Sequence, residues 1–179
     1  MKTVKTIYFA GGSFWGTQQY IRNFSGVVST RIGYANSLVP SPRYRDVCQG
    51  KTGAAECVKV EYDPTRITLE SLVQLFMLSI NPTSVNRQGN DVGPQYRSGI
   101  YYTDMDDAHT VFNVVSALED SYDAPFAVEI LPLENFYRAE KSLQDYLRRT
   151  PGGHCTISPR LMEYSRSIQG VFDAINPAV

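Results

Sequence analysis

Three short stretches of this chain carry residue types that could do chemistry together. In Gly11-Gly12-Ser13-Phe14-Trp15-Gly16, a β-type run ends, two glycines permit a tight turn and a helical pattern begins. A side chain at position 13 then sits over the unpaired N–H groups of the helix tip, where an anion is stabilised. A thiolate gains most from such a field, which can bring a cysteine pKa from ~8.5 down to ~3.5–7.5. A serine hydroxyl gains far too little to become an effective nucleophile unaided. The plain reading of Ser13 is an N-cap worth ~1 kcal/mol, and physics alone favours it. Phe14 and Trp15 read equally well as adjacent core aromatics.

The second stretch runs from Tyr44 to Glu56 and includes Cys48 and four glycine or alanine positions at Gly50, Gly53, Ala54 and Ala55. Glu56 opens a strand with apolar neighbours. Desolvation there would raise its pKa and keep a proton available for general acid work. An exposed strand-end Glu is the commoner case. The third stretch is Asn86 to Ser98, where Gly89 and Gly93 let the backbone fold back and present Asp91, Gln95 and Tyr96 toward one place. Stretches this rich in Gly, Asn and Asp are usually just turns.

The elements that must position these residues follow from the pattern. Thr3–Phe9 reads as a buried strand, Phe14–Phe24 as a helix and Val27–Tyr34 as a second strand. Ala35–Gly53 reads as a long surface loop, of the kind that more often serves function than not. Glu56–Tyr62 alternates as a half-buried strand. Thr68 can cap a helix whose Leu69, Leu72, Val73 and Phe76 fall on one face. Asn81–Gln95 is irregular, Arg97–Tyr102 a strand, and Ala108, Val111, Phe112 and Val115 mark a helix with Asp104, Asp106 and Asp107 at its positive end. Ala127–Leu131 reads as a strand and Asn135–Arg149 as a helix. Pro151-Gly152-Gly153 then opens an irregular tail. The order suggests an α+β fold: a two-layer ferredoxin-like domain with a mixed sheet and extra helices. The domain is expected over 1–158, with 159–179 a tail or linker.

Bulk properties narrow the function. The 179 residues suit one domain with a real core. A net charge of −1 with scattered Lys and Arg gives no footprint for nucleic acid or an anionic membrane. No apolar run approaches the ~20 residues that span a bilayer, and none near the N-terminus suits a signal peptide, so a cytoplasmic location is expected. Cys48, Cys57 and Cys155 are an odd set without CxxC spacing, neither a disulfide framework nor a zinc site. His109 and His154 show no metal-ligand pattern, so no metal is expected.

Taken together, the stretches resemble the A-type peptide methionine sulfoxide reductase family. Gly12–Gly16 is similar to its Gly-Cys-Phe-Trp-Gly signature, Tyr44–Glu56 to its Tyr-x-x-Val-Cys-x-Gly-x-Thr-Gly-x-Ala-Glu segment, and Gln88–Ser98 to its Gln-Gly-x-Asp-x-Gly-x-Gln-Tyr-Arg-Ser segment. The resemblance runs from about Ile7 to Cys155. It implies reduction of methionine-S-sulfoxide, free or in proteins, by a nucleophile at position 13 that ends as a sulfenic acid. It further implies that Glu56 protonates the leaving oxygen, that Tyr44 and Tyr96 donate hydrogen bonds to it, and that Phe14 and Trp15 receive the methyl group. Asp91 would help organise the polar wall. Cys155, in Gly152-Gly153-His154-Cys155, resembles the resolving cysteine, whose disulfide thioredoxin reduces; no bound cofactor is implied. A B-type reductase domain fused after Val179 is a further expectation left open by the family.

The departures are as informative. Ser13 stands where the family has cysteine, so the chain as written is expected to be nearly inactive; an engineered replacement, or one of selenocysteine, is the simplest cause. Ala54 stands where the family usually has His, and Ile80-Asn81-Pro82-Thr83 where it has His-Asp-Pro-Thr. The competing readings are a non-catalytic module that binds methionine sulfoxide peptides, and a serine hydrolase, which Trp15 disfavours by occupying the second glycine position of a G-x-S-x-G elbow.

Overall fold

A computed structural model describes residues 3–175, with side chains described to 168. Its centre is a six-stranded mixed sheet in the order β7-β6-β1-β3-β2-β8. The strands are β1 (Lys5–Ala10), β2 (Val27–Ala35), β3 (Ala55–Tyr62), β6 (Gly99–Tyr102), β7 (Glu129–Pro132) and β8 (Phe136–Arg138). The four inner strands are antiparallel, and only β6 and β7 run parallel. With α1 (Phe14–Ile21) between β1 and β2, and α3 (Leu69–Leu78) between β3 and β6, the inner part is the expected ferredoxin-like unit. α4 (Met105–Glu119) leads back to the β7 edge.

The helices bury one face of the sheet. Ile7, Phe9, Ile32, Val58 and Val60 pack there with Phe14, Tyr20, Leu72, Phe76 and Val111 from the helices. The other face carries a smaller cluster of Tyr8, Ala10, Ala35, Ala55, Cys57 and Tyr101, against Leu133 and Phe136. Strand alternation sorts side chains between the two. On β3, Glu56 shares the parity of Val58, Val60 and Tyr62 and so points into the helix-covered core, while Cys57 faces the other way. Both expected caps form: Thr68 Oγ1 accepts from Ser71 N and Asp104 from Asp106 N.

Three expectations need correction. The loop over 35–53 contains a short helix, α2 (Tyr44–Cys48), and the stretch 81–95 contains a two-residue hairpin of β4 (Arg87–Gln88) with β5 (Asp91–Val92). Asn135–Arg149 is not one helix. Phe136, Tyr137 and Arg138 instead complete the open edge of β2, opposite Ala35, Tyr34 and Gly33. An unpaired strand edge offers backbone hydrogen bonds that a weak helical pattern cannot match. Gln144 then plugs the next gap, its Oε1 accepting from Ile32 N at 3.0 Å and its Nε2 donating to Ile32 O at 2.8 Å and Ala139 O at 3.0 Å. Asp145 takes a left-handed φ of 57°, and only Tyr146–Arg149 is helical, as α5.

The expected irregular tail or linker over 159–179 is a fourth correction, since beyond α5 the described chain is irregular only over 150–158. Pro159–Ile175 forms α6, capped by Ser158 Oγ, which accepts from Leu161 N at 3.2 Å. Serine followed by proline is a helix-start signal. Met162 and Ser165 are buried, and Asn23 Nδ2, just past α1, donates to Ser165 Oγ at 2.8 Å. Packing of that face, not propensity, holds α6 to the domain. No described helix is long and apolar enough to cross a membrane.

Candidate active site

The tip of α1 is where the three stretches meet. Gly12 takes a left-handed φ of +73°, and a Cβ there would lie 2.8 Å from Gln88 Cβ, so only glycine lets the hairpin approach so closely. Gly12 N donates to Tyr96 O at 3.1 Å, which ties the third stretch to the first. Gln88 pins the hairpin from behind, exchanging hydrogen bonds with Asn81 N and O and donating to Ser98 Oγ. Asp91 is thereby held beside the site, although 35 residues of sequence separate it from Glu56.

Ser13 caps α1. Its backbone is extended and its Oγ accepts from Trp15 N at 3.3 Å, with the residue 4% exposed. The cap reading is therefore realised, and so is the placement at the helix's positive end. The next N–H, that of Phe14, donates to Glu56 Oε2 at 3.1 Å. The carboxyl group lies at the helix tip, beside the residue that follows Ser13.

Glu56 is 1% exposed, so it is far more buried than a strand-end carboxylate. Burial pushes its pKa up to about 8, against the lowering effect of the Phe14 N–H and with help from the charge of Asp91. Glu56 therefore holds a proton at neutral pH. Tyr96 is pushed up to about 12, first by burial and then by the charges of Glu56 and Asp91. Tyr44 is raised by burial and by Glu56. Both phenols stay protonated donors, and both feel the same carboxyl group.

Aromatic rings wall this polar centre. Phe14 lies 6.2 Å from Tyr44 and 5.9 Å from Tyr34, and Trp15 lies 6.0 Å from Tyr44. Trp15 also stacks on Tyr146 at 4.1 Å. Cys155 lies one helical turn further along α1: a Cβ on Gly16 would come within 3.0 Å of its Sγ. Its thiol, partly buried and directed at Ile157 O at 3.6 Å, has a raised pKa because of burial. The structure thus gathers Ser13, Phe14, Trp15, Tyr44, Glu56, Asp91 and Tyr96 in one place, with Cys155 against the same helix.

Several participants escaped the sequence reading. Tyr34 sits opposite Glu56 in the β2–β3 register and donates to Glu140 Oε2 at 2.6 Å. Glu140 Oε1 accepts from Tyr44 N at 2.8 Å, anchoring the start of α2. Tyr146 and His154 come from the far end of the chain; His154 Nε2 lies 2.9 Å from Asp91 Oδ1. Nothing local marks these residues, since their partners lie 63 to 131 positions away. Cys48 sits at the end of α2 near Tyr44, its thiol pKa raised by burial. Among the described residues, no group of three or more His, Cys, Asp or Glu is gathered as a metal ion would need.

Comparison with known proteins agrees with this architecture. The family model described as peptide methionine sulfoxide reductase matches residues 5–171. A protein of Clostridium acetobutylicum named peptide methionine sulfoxide reductase MsrA is 44% identical over 160 residues, covering 89% of this chain and 99% of its own. Methionine sulfoxide reductase A of Corynebacterium diphtheriae superimposes with a TM-score of 0.83 at 36% identity, over 87% of this chain and 79% of that one. Mxr1 from Saccharomyces cerevisiae, solved in complex with Trx2, gives a TM-score of 0.58 at 26% identity, over 80% and 84%. With the family model spanning nearly the whole domain and the relatives matching end to end, the chain belongs to the peptide methionine sulfoxide reductase family, in its MsrA branch.

Proposed function

We propose that this site is built to reduce methionine-S-sulfoxide, free or within proteins, and that Ser13 leaves the chain able to bind that group but nearly unable to turn it over. The observation that carries the reading is Glu56: a fully buried carboxyl group, protonated at neutral pH, hydrogen-bonded to the tip of the helix that bears position 13. A sulfoxide oxygen is a strong acceptor. Neutral Glu56 and the hydroxyls of Tyr44 and Tyr96 are the donors it meets, while Phe14 and Trp15 take the methyl group. Asp91 supports the protonated state of Glu56.

With a thiol at position 13, sulfur attacks the sulfoxide sulfur and Glu56 gives its proton to the oxygen. The oxygen ends on the enzyme sulfur as a sulfenic acid; the sulfoxide is reduced by two electrons to methionine and the thiol oxidised by two. The thiol of Cys155 then displaces water to form a disulfide, which an external dithiol reduces. Thioredoxin is the proposed reductant, as a yeast relative was solved with Trx2. Serine has no such route, because accepting the sulfoxide oxygen would require an O–O bond. What Ser13 preserves is the cap and the pocket, so binding without turnover is the activity of the chain as it stands.

The test is Ser13→Cys assayed with a methionine-S-sulfoxide peptide and dithiothreitol. Turnover is expected to appear, with little in the parent. A pure sulfoxide-binding module would bind the peptide but gain no activity. Adding Cys155→Ser should spare the first turnover and slow thioredoxin-linked recycling; equal rates with thioredoxin would remove that role.

A further inference from the structure

One edge of the site is bordered by clefts lined with basic side chains. The largest, about 820 Å³, lies between Arg138 and Lys141 on one side and Arg148 and Arg149 of α5 on the other. Arg138 also lines a second cleft, of about 360 Å³, that reaches Arg43. Arg148 also lines a third, of about 630 Å³, that reaches Cys155. The three therefore join into one belt through shared walls. Both ends of the basic stretch abut the aromatic pocket: Arg43 precedes Tyr44, and Arg148 lies two residues from Tyr146, which stacks on Trp15.

The belt's cations are exposed and largely uncompensated. Among the described residues, Arg138, Lys141 and Arg148 have no carboxylate within ion-pair distance. Arg149 is spent on the carbonyls of Ser142 and Gln144. Three of the acids nearby are already engaged. Asp145 pairs with Arg22, Glu163 with Arg166, and Glu140 accepts from Tyr34 and Tyr44 N, within the field of Arg43. Acidic side chains collect instead along α4 and its end, Asp104, Asp106, Asp107, Glu119, Asp120 and Asp123, at the β6–β7 side of the sheet. In a chain of net charge −1 this separation is a polarised surface, with its positive side at the mouth of the pocket.

We infer that the belt of Arg43, Arg138, Lys141 and Arg148 receives acidic residues flanking the oxidised methionine of a polypeptide, so that the site favours sulfoxides set in acidic sequence. The inference rests on the sulfoxide-binding reading above. The partner is a polypeptide because the belt borders the pocket that takes one side chain, where the residues flanking that side chain would lie. Charges at the rim of an interface set register and encounter more than they add contacts.

The experiment uses the chain as it stands, which binds without consuming its ligand. Labelled peptides with one central methionine-S-sulfoxide carry either aspartates or lysines at the flanking positions, and binding is read by fluorescence anisotropy. The aspartate peptide is expected to bind about 10-fold more tightly at low salt, with the gap closing near ~0.5 M salt as exposed charges are screened. Arg138→Glu with Arg148→Glu should reverse the order while leaving affinity for N-acetyl-methionine-S-sulfoxide amide unchanged. Equal affinity for the two peptides, or a preference untouched by the double substitution, overturns the inference. The small amide and a reduced-methionine peptide separate the two ideas. If the amide binds and flanking charge is immaterial, only the belt fails. If oxidised and reduced acidic peptides bind equally and the amide not at all, the pocket reading fails and takes the inference with it.

Discussion

Replacing Glu56 by glutamine should change how stability depends on pH more than it changes stability itself. The carboxyl group has an ordinary pKa of 4.5 in the unfolded chain and about 8 in the folded one. Below 4.5 both states hold the proton. Between 4.5 and about 8 only the folded state does, so it binds more protons and stability falls as pH rises. Above about 8 both states have lost the proton, and the whole cost of a buried charge is paid. At ~1.4 kcal/mol per pH unit, that interval sets a ceiling of about 5 kcal/mol, and water reaching the ionised group will reduce it to a few. Glutamine keeps the shape, and its carbonyl can accept the Phe14 N–H that Glu56 Oε2 accepts at 3.1 Å. Urea unfolding of parent and Glu56→Gln at pH 5, 6, 7 and 8 isolates this one group, because all other titrations cancel in the difference. The two should be similar at pH 5, with the variant ahead by ~2–4 kcal/mol at pH 8. Parallel profiles would falsify the protonated carboxyl group, and with it the proton donor of the proposed mechanism.

The same titration should govern binding: affinity for methionine-S-sulfoxide is expected to fall as pH rises past about 8, where neutral Glu56 is lost, and a flat titration calorimetry profile across that range would contradict it. Gly33→Ala places a Cβ 2.5 Å from both the Phe136 ring and the Tyr137 carbonyl; the backbone cannot yield, so a loss of ~2 kcal/mol or more is expected from thermal unfolding. Gln144→Leu removes the acceptor of Ile32 N, while Ile32 O keeps the N–H of Ala139; stranding one buried backbone donor should cost ~1–3 kcal/mol in urea. Tyr146→Ala removes the ring stacked on Trp15 at 4.1 Å; a changed Trp15 emission and a loss of ~1 kcal/mol in sulfoxide affinity are expected, and an unaltered spectrum would place the ring elsewhere in solution.

The inner domain was readable because its signals are local. Alternation in Glu56–Tyr62 and the helical spacing of Leu69, Leu72, Val73 and Phe76 each recur within a few residues, and burial of a sheet face against helices follows from them. Gly11-Gly12 before Ser13 announced the turn and the cap for the same reason. The family motifs added what physics left open at Ser13 and Glu56, where cap and exposed carboxylate were the ordinary readings. Ser158-Pro159 is an equally local signal, for the start of α6.

Residues Asn135–Arg149 show where local reading ends. Their pattern suits a helix weakly, and what decided otherwise was an edge of β2 a hundred residues earlier, which gained hydrogen bonds from Phe136, Tyr137 and Arg138. The sequence by itself determined the inner strands and helices, their order and the residue types of the site. Only the tertiary structure decided that Glu56 loses water, that Asp91 stands close enough to raise its pKa, and that Tyr34, Glu140 and Tyr146 brace the rings around it. Desolvation and pairing depend on what surrounds an atom in space, and those neighbours are supplied by strands and loops that no short window of sequence contains.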